Sequence, residues 1–177
     1  FNKEKRIYML SQVDGKIPEV MPYQITIRML STLLQIYSGD VDAVIKSLGD
    51  VKPEQEERLR RRAACAWFWI QHSAPDCAPD FCFALRTDGS KAENLQGDML
   101  KAVARVRDEV VSKLETFQVD KECQQAMYDI ATEMGIEPKA LFTAMYNALI
   151  NKDQGPRLGN FMRIIGKEQL TKILSVY

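Results

Sequence analysis

Histidine is nearly absent from this 177-residue chain, and long hydrophobic runs are missing altogether. The one histidine, His72, stands near the end of a predicted helix, where a favourable contact with the helix dipole is the usual role. No set of histidine, cysteine and carboxylate residues has the spacing of metal ligands. Neither Gly15-Lys16 nor Gly166-Lys167 has the upstream glycine and following Ser or Thr of a phosphate-binding loop. The chain itself therefore offers no catalytic site and no metal site.

Cysteine is also scarce, with only Cys65, Cys77, Cys82 and Cys123. These are too few for a disulfide scaffold in a chain of this size, and their spacing matches no paired zinc motif. We therefore expect reduced thiols in a cytoplasmic protein, with Cys65 and Cys123 as small core residues. No apolar run approaches the ~20 residues that cross a bilayer, which excludes a membrane protein.

Charge of one sign is not in excess, since 24 basic residues balance 24 acidic ones. This balance gives no general reason to expect a nucleic-acid partner. Positive charge is nevertheless concentrated in residues 139–177, which hold six basic and two acidic residues, and in the cluster Arg58, Arg60, Arg61 and Arg62. On charge alone, a solvated helix face is the simpler interpretation of both.

Helical periodicity is what the sequence has in abundance. Apolar residues recur at steps of three and four, and capping residues such as Asp40, Gly49, Pro53, Gly135 and Pro138 stand at the ends of these runs. The helix that begins at Pro53 has a predicted buried stripe of Leu59, Ala63, Ala66, Trp67 and Ile70. The run from Met99 to Phe117 predicts one long helix. We therefore predict an all-α protein, a helical bundle or α-helix cage, with at most one short extended segment near 81–85.

The chain begins with Phe1 rather than methionine, so we expect residues 1–177 to be a region cut from a longer protein. Possible sub-bundles are 1–117 and 118–177. We expect the region to be monomeric.

Two segments carry more information than packing requires. The first runs from Pro22 to Leu30, where a proline-led helix start places Tyr23, Gln24 and Arg28 near one end. The second is 151–161, where a helix is predicted to stop at Gly155 and Pro156 restarts the chain. That turn would hold Arg157 on a stiff base, beside free backbone N–H groups of the next helix. A plain helix–helix connector and a site for unpaired RNA bases are both consistent with it.

The second segment, with Ala140–Ile150 before it, resembles the C-terminal region of class I lysyl-tRNA synthetases. Ile7–Gln12, the Pro22-Tyr23-Gln24 start and the Cys65–Pro75 helix end are similar to the same family in the same order. The resemblance covers nearly the whole chain and is weakest between Asp88 and Asp120. The family has a glycine where this chain has Asn151.

This resemblance implies an α-helix cage that binds the anticodon of tRNA(Lys). It implies a parent enzyme that activates lysine with ATP and magnesium and transfers it to tRNA. The His-Ile-Gly-His-like and Lys-Met-Ser-Lys-Ser-like signatures of its catalytic domain do not occur here, so we expect that domain upstream of Phe1. The candidate anticodon contacts are Arg157, Tyr23, Gln24, Arg28 and Asn147.

Two alternatives stay open at this stage. A helical protein–protein interaction module would dock a partner through exposed stripes and would not bind tRNA according to its anticodon. A free-standing paralogue would keep the fold and lack the catalytic domain. Trp69 is a candidate for base stacking or for packing on the catalytic domain.

Overall fold

The computed structural model describes residues 2–11 and 22–177. Two of its helices begin directly after a residue whose side chain caps them. The Thr26 hydroxyl accepts a hydrogen bond from the Met29 N–H at 3.2 Å, and the Asp40 carboxylate accepts one from the Ala43 N–H at 3.0 Å. In chain order the α-helices are α1 (Asn2–Leu10), α2 (Ile27–Ile36), α3 (Val41–Leu48), α4 (Pro53–His72), α5 (Ala74–Cys77), α6 (Asp98–Glu109), α7 (Asp120–Glu133), α8 (Pro138–Ile150), α9 (Leu158–Ile165) and α10 (Lys167–Leu174).

The described ranges contain no strand, so the prediction of an all-α fold is confirmed. The segment near 81–85 runs outside any regular element. Its backbone is held by single contacts to neighbouring helices, for example from the Arg86 N–H to the Leu149 carbonyl oxygen at 2.8 Å. In the same ranges, no helix is both long enough and apolar enough to cross a membrane.

The predicted long helix over Met99–Phe117 is divided in two. It is α-helical only to Glu109 and continues as a 3₁₀ segment over Val111–Thr116. In 3₁₀ winding the residues i and i+3 eclipse each other, so Val111 and Leu114 share one buried face. This segment packs against α10 and α6.

Two hydrophobic clusters divide the chain. The smaller is formed by α2, α3 and α4 and includes Leu30, Leu34 and Leu59. The larger is formed chiefly by α6 to α10 and the 3₁₀ segment. Leu114, Phe161 and Ile36 of α2 all belong to this larger cluster, so helices from both halves of the chain contribute to it. The sub-bundles 1–117 and 118–177 stay a prediction.

The predicted stripe of α4 is buried at Leu59, Ala63, Ala66 and Ile70. Trp67 is only half-buried, and its indole lies so close to the Gly39 backbone that no Cβ would fit there. Cys123 is fully buried, as predicted, but the prediction of a core position for Cys65 was wrong, because it is exposed. Cys65 is one residue before Ala66 and therefore about 100° around the helix from the buried stripe.

Candidate nucleic-acid interface

The turn between α8 and α9 comprises residues 151–157 and begins earlier than the sequence predicts. Helix α8 ends at Ile150 because Asn151 adopts the left-handed conformation, with φ of 54°. The predicted helix end at Gly155 was therefore wrong. A left-handed residue at a helix end is most often glycine and sometimes asparagine, so Asn151 is a suitable residue to end α8.

A tyrosine of α8 holds the far end of this turn. The Tyr146 hydroxyl donates a hydrogen bond to the Pro156 carbonyl oxygen at 2.7 Å. Burial raises the pKa of this phenol, although the Leu158 N–H opposes the rise.

Asn147 lies beneath the same turn, and its side chain is only 4% exposed. Its Nδ2 donates to the Thr143 carbonyl oxygen and to the Asp153 carboxylate, each at 3.0 Å. Its Oδ1 accepts a hydrogen bond from Asn94 Nδ2 at 2.9 Å. This amide is thus bonded on both sides within the protein, and it ties α8 to the turn.

Two glycines allow the turn and α9 to approach their neighbours closely. A Cβ at Gly159 would lie 2.6 Å from the Asp120 carbonyl oxygen at the start of α7. A Cβ at Gly155 would lie 2.9 Å from Cδ1 of Ile150 and 3.1 Å from the Tyr146 ring. The turn is therefore packed against α8 and cannot be displaced freely.

Arg157 is the N-cap residue of α9, and its side chain is exposed. Its carbonyl oxygen accepts the first hydrogen bond of the helix, from the Phe161 N–H at 2.8 Å. Its guanidinium has no hydrogen-bond or ion-pair partner within residues 2–11 and 22–177. A stiff backbone thus carries a cation that is free to meet a ligand.

The first segment differs from its prediction, because Pro22 does not begin a helix. Helix α2 begins at Ile27, after the Thr26 cap, and residues 22–26 are irregular. The Arg62 guanidinium of α4 donates to the carbonyl oxygens of Tyr23 and Ile25, at 3.3 and 2.9 Å. These bonds hold the two carbonyls to α4 and leave Thr26 to cap the helix.

The three candidate residues of this first segment lie in different surroundings. The Tyr23 hydroxyl donates to the Asp50 carboxylate at 2.7 Å, and this bond raises the pKa of the phenol. Gln24 is exposed and donates to the Pro22 carbonyl oxygen at 2.8 Å. Arg28, the second residue of α2, is exposed, and its side chain has no partner in the described part of the chain.

Arg28 meets the second segment at a cavity of about 180 Å³ between the two hydrophobic clusters. The lining residues come from α2, from the segment after α5, from the end of α8 and from the turn: Arg28, Thr32, Asp80, Phe81, Phe83, Ile150, Lys152, Gln154, Gly155 and Pro156. Tyr23, Gln24, Asn147 and Arg157 do not line it. The structure therefore brings the two predicted segments together, through Arg28 and the residues just before Arg157.

Sequence reasoning missed Phe81 and Phe83 as parts of this site. A buried glutamine, Gln35 of α2, fixes them: its Oε1 accepts from the Phe83 N–H at 2.6 Å, and its Nε2 lies 3.4 Å from the Phe81 carbonyl oxygen. Phe83 also packs edge-on against Phe161, with ring centroids 5.3 Å apart. A glutamine among the leucines of α2 was the available signal, because a buried amide needs partners.

A larger cavity, of about 930 Å³, lies elsewhere, on the faces of α2 and α4. It includes Ile27, Trp69, Cys65 and the arginines Arg58, Arg61 and Arg62. The arginine cluster noted in the sequence therefore borders this groove, although Arg62 also serves the first segment. Trp69 packs against Phe81, with ring centroids 5.7 Å apart, so the two cavities share one aromatic wall.

Within residues 2–11 and 22–177 no group of three or more His, Cys, Asp or Glu side chains could hold a metal ion. The side chains that line the smaller cavity include guanidinium, ammonium, amide and aromatic groups. These are the groups that bind unpaired RNA bases and the phosphates beside them.

The structure thus defines an all-α domain with cationic and aromatic groups around one helix–helix turn. Residues 80–175 match the model of the anticodon binding domain family, and the chain belongs to that family. Lysine–tRNA ligase of Treponema pallidum is 42% identical over 178 residues, which cover 100% of this chain and 33% of the relative. The enzyme of the same name from Borreliella burgdorferi is 34% identical, covering 98% of this chain and 32% of the relative. The enzyme of the same name from Thermococcus kodakarensis is 33% identical, covering 96% of this chain and 32% of the relative. The chain thus spans about a third of the length of these curated relatives.

Proposed function

We propose that this chain recognises the anticodon of tRNA(Lys) as part of a class I lysine–tRNA ligase. Its membership of the anticodon-binding family and its similarity to lysine–tRNA ligases support this proposal. The observation that carries it is the convergence of the two segments. Arg28 and Gln154 are more than a hundred residues apart in the chain, yet they line one cavity, and the turn that supplies Gln154 ends at the free guanidinium of Arg157.

The stiffness of the turn supports a recognition role. Tyr146 and Asn147 bond it to α8, so little conformational entropy is lost when a ligand binds. Guanidinium planes stack on unpaired bases and hydrogen-bond to phosphates, which gives Arg157 and Arg28 two ways to engage an anticodon loop.

The five predicted contacts take different roles in this proposal. Arg157 and Arg28 contact RNA directly, and exposed Gln24 contacts a base edge or a phosphate. Asn147 acts as a positioning residue, because its amide is buried and already bonded. Tyr23 stacks through its ring, since its hydroxyl is engaged with Asp50.

The activity of the whole protein is part of the proposal. We propose that the parent enzyme uses ATP with magnesium to lysylate tRNA, in a catalytic domain outside this chain. The groove that includes Ile27 and Trp69 is the surface proposed to face that domain. We further propose that the enzyme acts as a monomer in the cytoplasm.

The test is binding of an anticodon stem-loop of tRNA(Lys) to the 177-residue chain and to its Arg157→Ala variant, at one fixed salt concentration. We expect the variant to raise the dissociation constant about tenfold, because stacking on a base contributes about 1–3 kcal/mol. Circular dichroism should show unchanged helicity, since this side chain is exposed. A stem-loop with a scrambled anticodon measures the part of binding that depends on charge alone.

Arg61→Ala is the matched control, because it also removes one exposed guanidinium, which lies in the other cavity. It should change the dissociation constant far less than Arg157→Ala. Equal dissociation constants for wild type and Arg157→Ala would refute the role of Arg157. Binding that ignores the anticodon would favour the protein–protein interaction module instead.

A further inference from the structure

The start of the α8–α9 turn is held by an arginine from another part of the chain. Asn151 begins the turn in the left-handed conformation, which residues with a Cβ rarely adopt, although asparagine does so more readily than most. Nη2 of Arg86 donates to Oδ1 of Asn151 at 2.8 Å, across 65 residues of sequence. Tyr146 and Asn147 bond to later residues of the turn, so Arg86 fixes the end that they do not reach.

The backbone of Arg86 is attached to α8 as well. Its N–H donates to the Leu149 carbonyl oxygen at 2.8 Å. The last four carbonyl oxygens of an α-helix have no N–H partner within the helix, and the helix dipole favours a cation near them. Arg86 therefore places both an N–H and a positive charge where α8 stops and the turn begins.

The Arg86 guanidinium is itself held in one orientation. Its Nη1 donates to the Ser90 hydroxyl at 2.7 Å, and that hydroxyl donates to the Asp88 carboxylate at 2.8 Å. The Ser90 N–H also donates to Asp88, at 3.0 Å, and these two bonds from Ser90 lower the pKa of the Asp88 carboxyl. A chain of hydrogen bonds thus runs from Asp88 through Ser90 and Arg86 to Asn151, and it joins the loop before α6 to the turn.

This arrangement turns the Arg86 guanidinium towards the protein. Its Nε atom is buried, and the residue is half-buried rather than exposed. Arg28 and Arg157, by contrast, are exposed and have no side-chain partner in the described ranges. The arginines around the turn therefore differ in kind: Arg28 and Arg157 are free to meet a ligand, and Arg86 serves the backbone.

We propose that Arg86 is a positioning residue for the turn, because it holds Asn151 in the left-handed conformation and so sets where the Arg157 guanidinium lies. The inference rests on the proposed function, since it assigns a role in the same interface without contact to RNA. A turn that keeps its bound conformation for only part of the time raises the dissociation constant in inverse proportion to that fraction.

The test is binding of an anticodon stem-loop of tRNA(Lys) to the 177-residue chain and to Arg86→Ala, at one fixed salt concentration. We expect the dissociation constant to rise about 3- to 10-fold, which corresponds to a turn in its bound conformation for about a tenth to a third of the time. Arg105→Ala is the matched control, because Arg105 is also half-buried and is paired within the protein, with Glu109 of α6 and Glu133 of α7. This control should change the dissociation constant less than about twofold.

Replacing Asn151 separates a positioning role from the other ways in which Arg86 could act. Asn151→Gly, made in the Arg86→Ala chain, should restore the dissociation constant to within about twofold of wild type, because glycine adopts the left-handed conformation without a partner. Asn151→Ala in the same chain should not restore it, because alanine avoids that conformation. A direct contact of Arg86 with RNA, or a role confined to the loop at Ser90, would not be repaired by glycine at position 151.

The possible failures can be told apart. If the intact stem-loop binds no better than one with a scrambled anticodon, the proposed function is refuted, and the positioning role with it. If binding is specific for the anticodon, but Arg86→Ala binds as tightly as wild type or is not repaired by Asn151→Gly, only the role of Arg86 is refuted. Should circular dichroism show that Arg86→Ala loses helicity, Arg86→Lys takes its place, since lysine keeps the cation but lacks the planar fork that reaches Ser90 and Asn151 together.

Discussion

The Asn147 amide and the Asp153 carboxylate are joined by a 3.0 Å hydrogen bond that connects a buried helix to an exposed turn. Asn94 donates to the other end of the same amide at 2.9 Å, so the orientation of the Asn147 side chain is fixed. A residue whose type suggested base recognition therefore serves to hold the turn that ends at Arg157.

Removing this amide should destabilise the fold. Asn147→Ala removes three hydrogen bonds of a buried amide, and we expect the free energy of unfolding to fall by about 1–3 kcal/mol, since each bond contributes about 0.5–1.5 kcal/mol. Asp153→Ala should lower the free energy of unfolding less than Asn147→Ala does, because Asp153 is exposed. Urea denaturation of both single variants and the double variant gives their coupling, expected at about 0.5–1.5 kcal/mol. If the loss in the double variant equals the sum of the two single losses, the hydrogen bond between Asn147 and Asp153 contributes nothing to stability.

Gly159→Ala should also destabilise the protein, although alanine favours a helix by up to ~1 kcal/mol over glycine. The new Cβ would lie 2.6 Å from the Asp120 carbonyl oxygen, and a backbone atom cannot move aside without shifting α7. Overpacking of this kind costs about 1–3 kcal/mol, so we expect a net loss in thermal denaturation.

Gly155→Ala is the comparison for that variant. Its new Cβ would meet Cδ1 of Ile150 at 2.9 Å, and the end of a flexible side chain can rotate away. We expect the midpoint of unfolding to fall less for Gly155→Ala than for Gly159→Ala. The reverse order would contradict the importance of the α7–α9 contact.

Stability should fall at alkaline pH in a way that depends on Cys123. Burial raises the pKa of this thiol from 9.0 to about 11, so the folded state binds the proton more tightly than the unfolded chain. This contribution is fully present below about pH 9 and is lost as the pH rises towards 11. Denaturant titrations between pH 8 and 11 give the free energy of unfolding at each pH. Over this range it should fall less for Cys123→Ala than for wild type, by about 1–2 kcal/mol.

Cys65→Ala is the matched variant for that experiment, because it removes an exposed thiol. If the free energy of unfolding falls equally with pH in wild type and Cys123→Ala, the pKa of the buried thiol does not differ between the folded and unfolded states.

Much of the fold was predictable because helix signals are local. Asp40, Pro53 and Pro138 mark helix starts that the structure confirms. The failures occurred where a distant residue decides the backbone. Pro22 did not begin a helix, since Arg62 holds the carbonyl oxygens of Tyr23 and Ile25 from another element.

The candidate site was predictable only in part. Gly155, Pro156 and Arg157 of the second segment indicated a stiff turn with an exposed cation. The structure has such a turn, and the Arg157 side chain is exposed. Asn147 stays a predicted site residue, but the sequence did not show that its amide is buried and bonded within the protein. That burial follows from α8, which is apolar on nearly every face, because such a helix is buried all around. Phe81 and Phe83 looked like a possible strand, and only the buried Gln35 amide explains their extended backbone.

The sequence by itself therefore determined most of the helices and pointed to the two segments that differ from ordinary packing. Those properties depend on periodicity, caps and residue types within a few turns. Only the tertiary structure decided that Arg28, Phe81 and Gln154 line one cavity. Their proximity comes from how the two hydrophobic clusters pack against each other, and no pattern along the chain encodes a contact between residues so far apart.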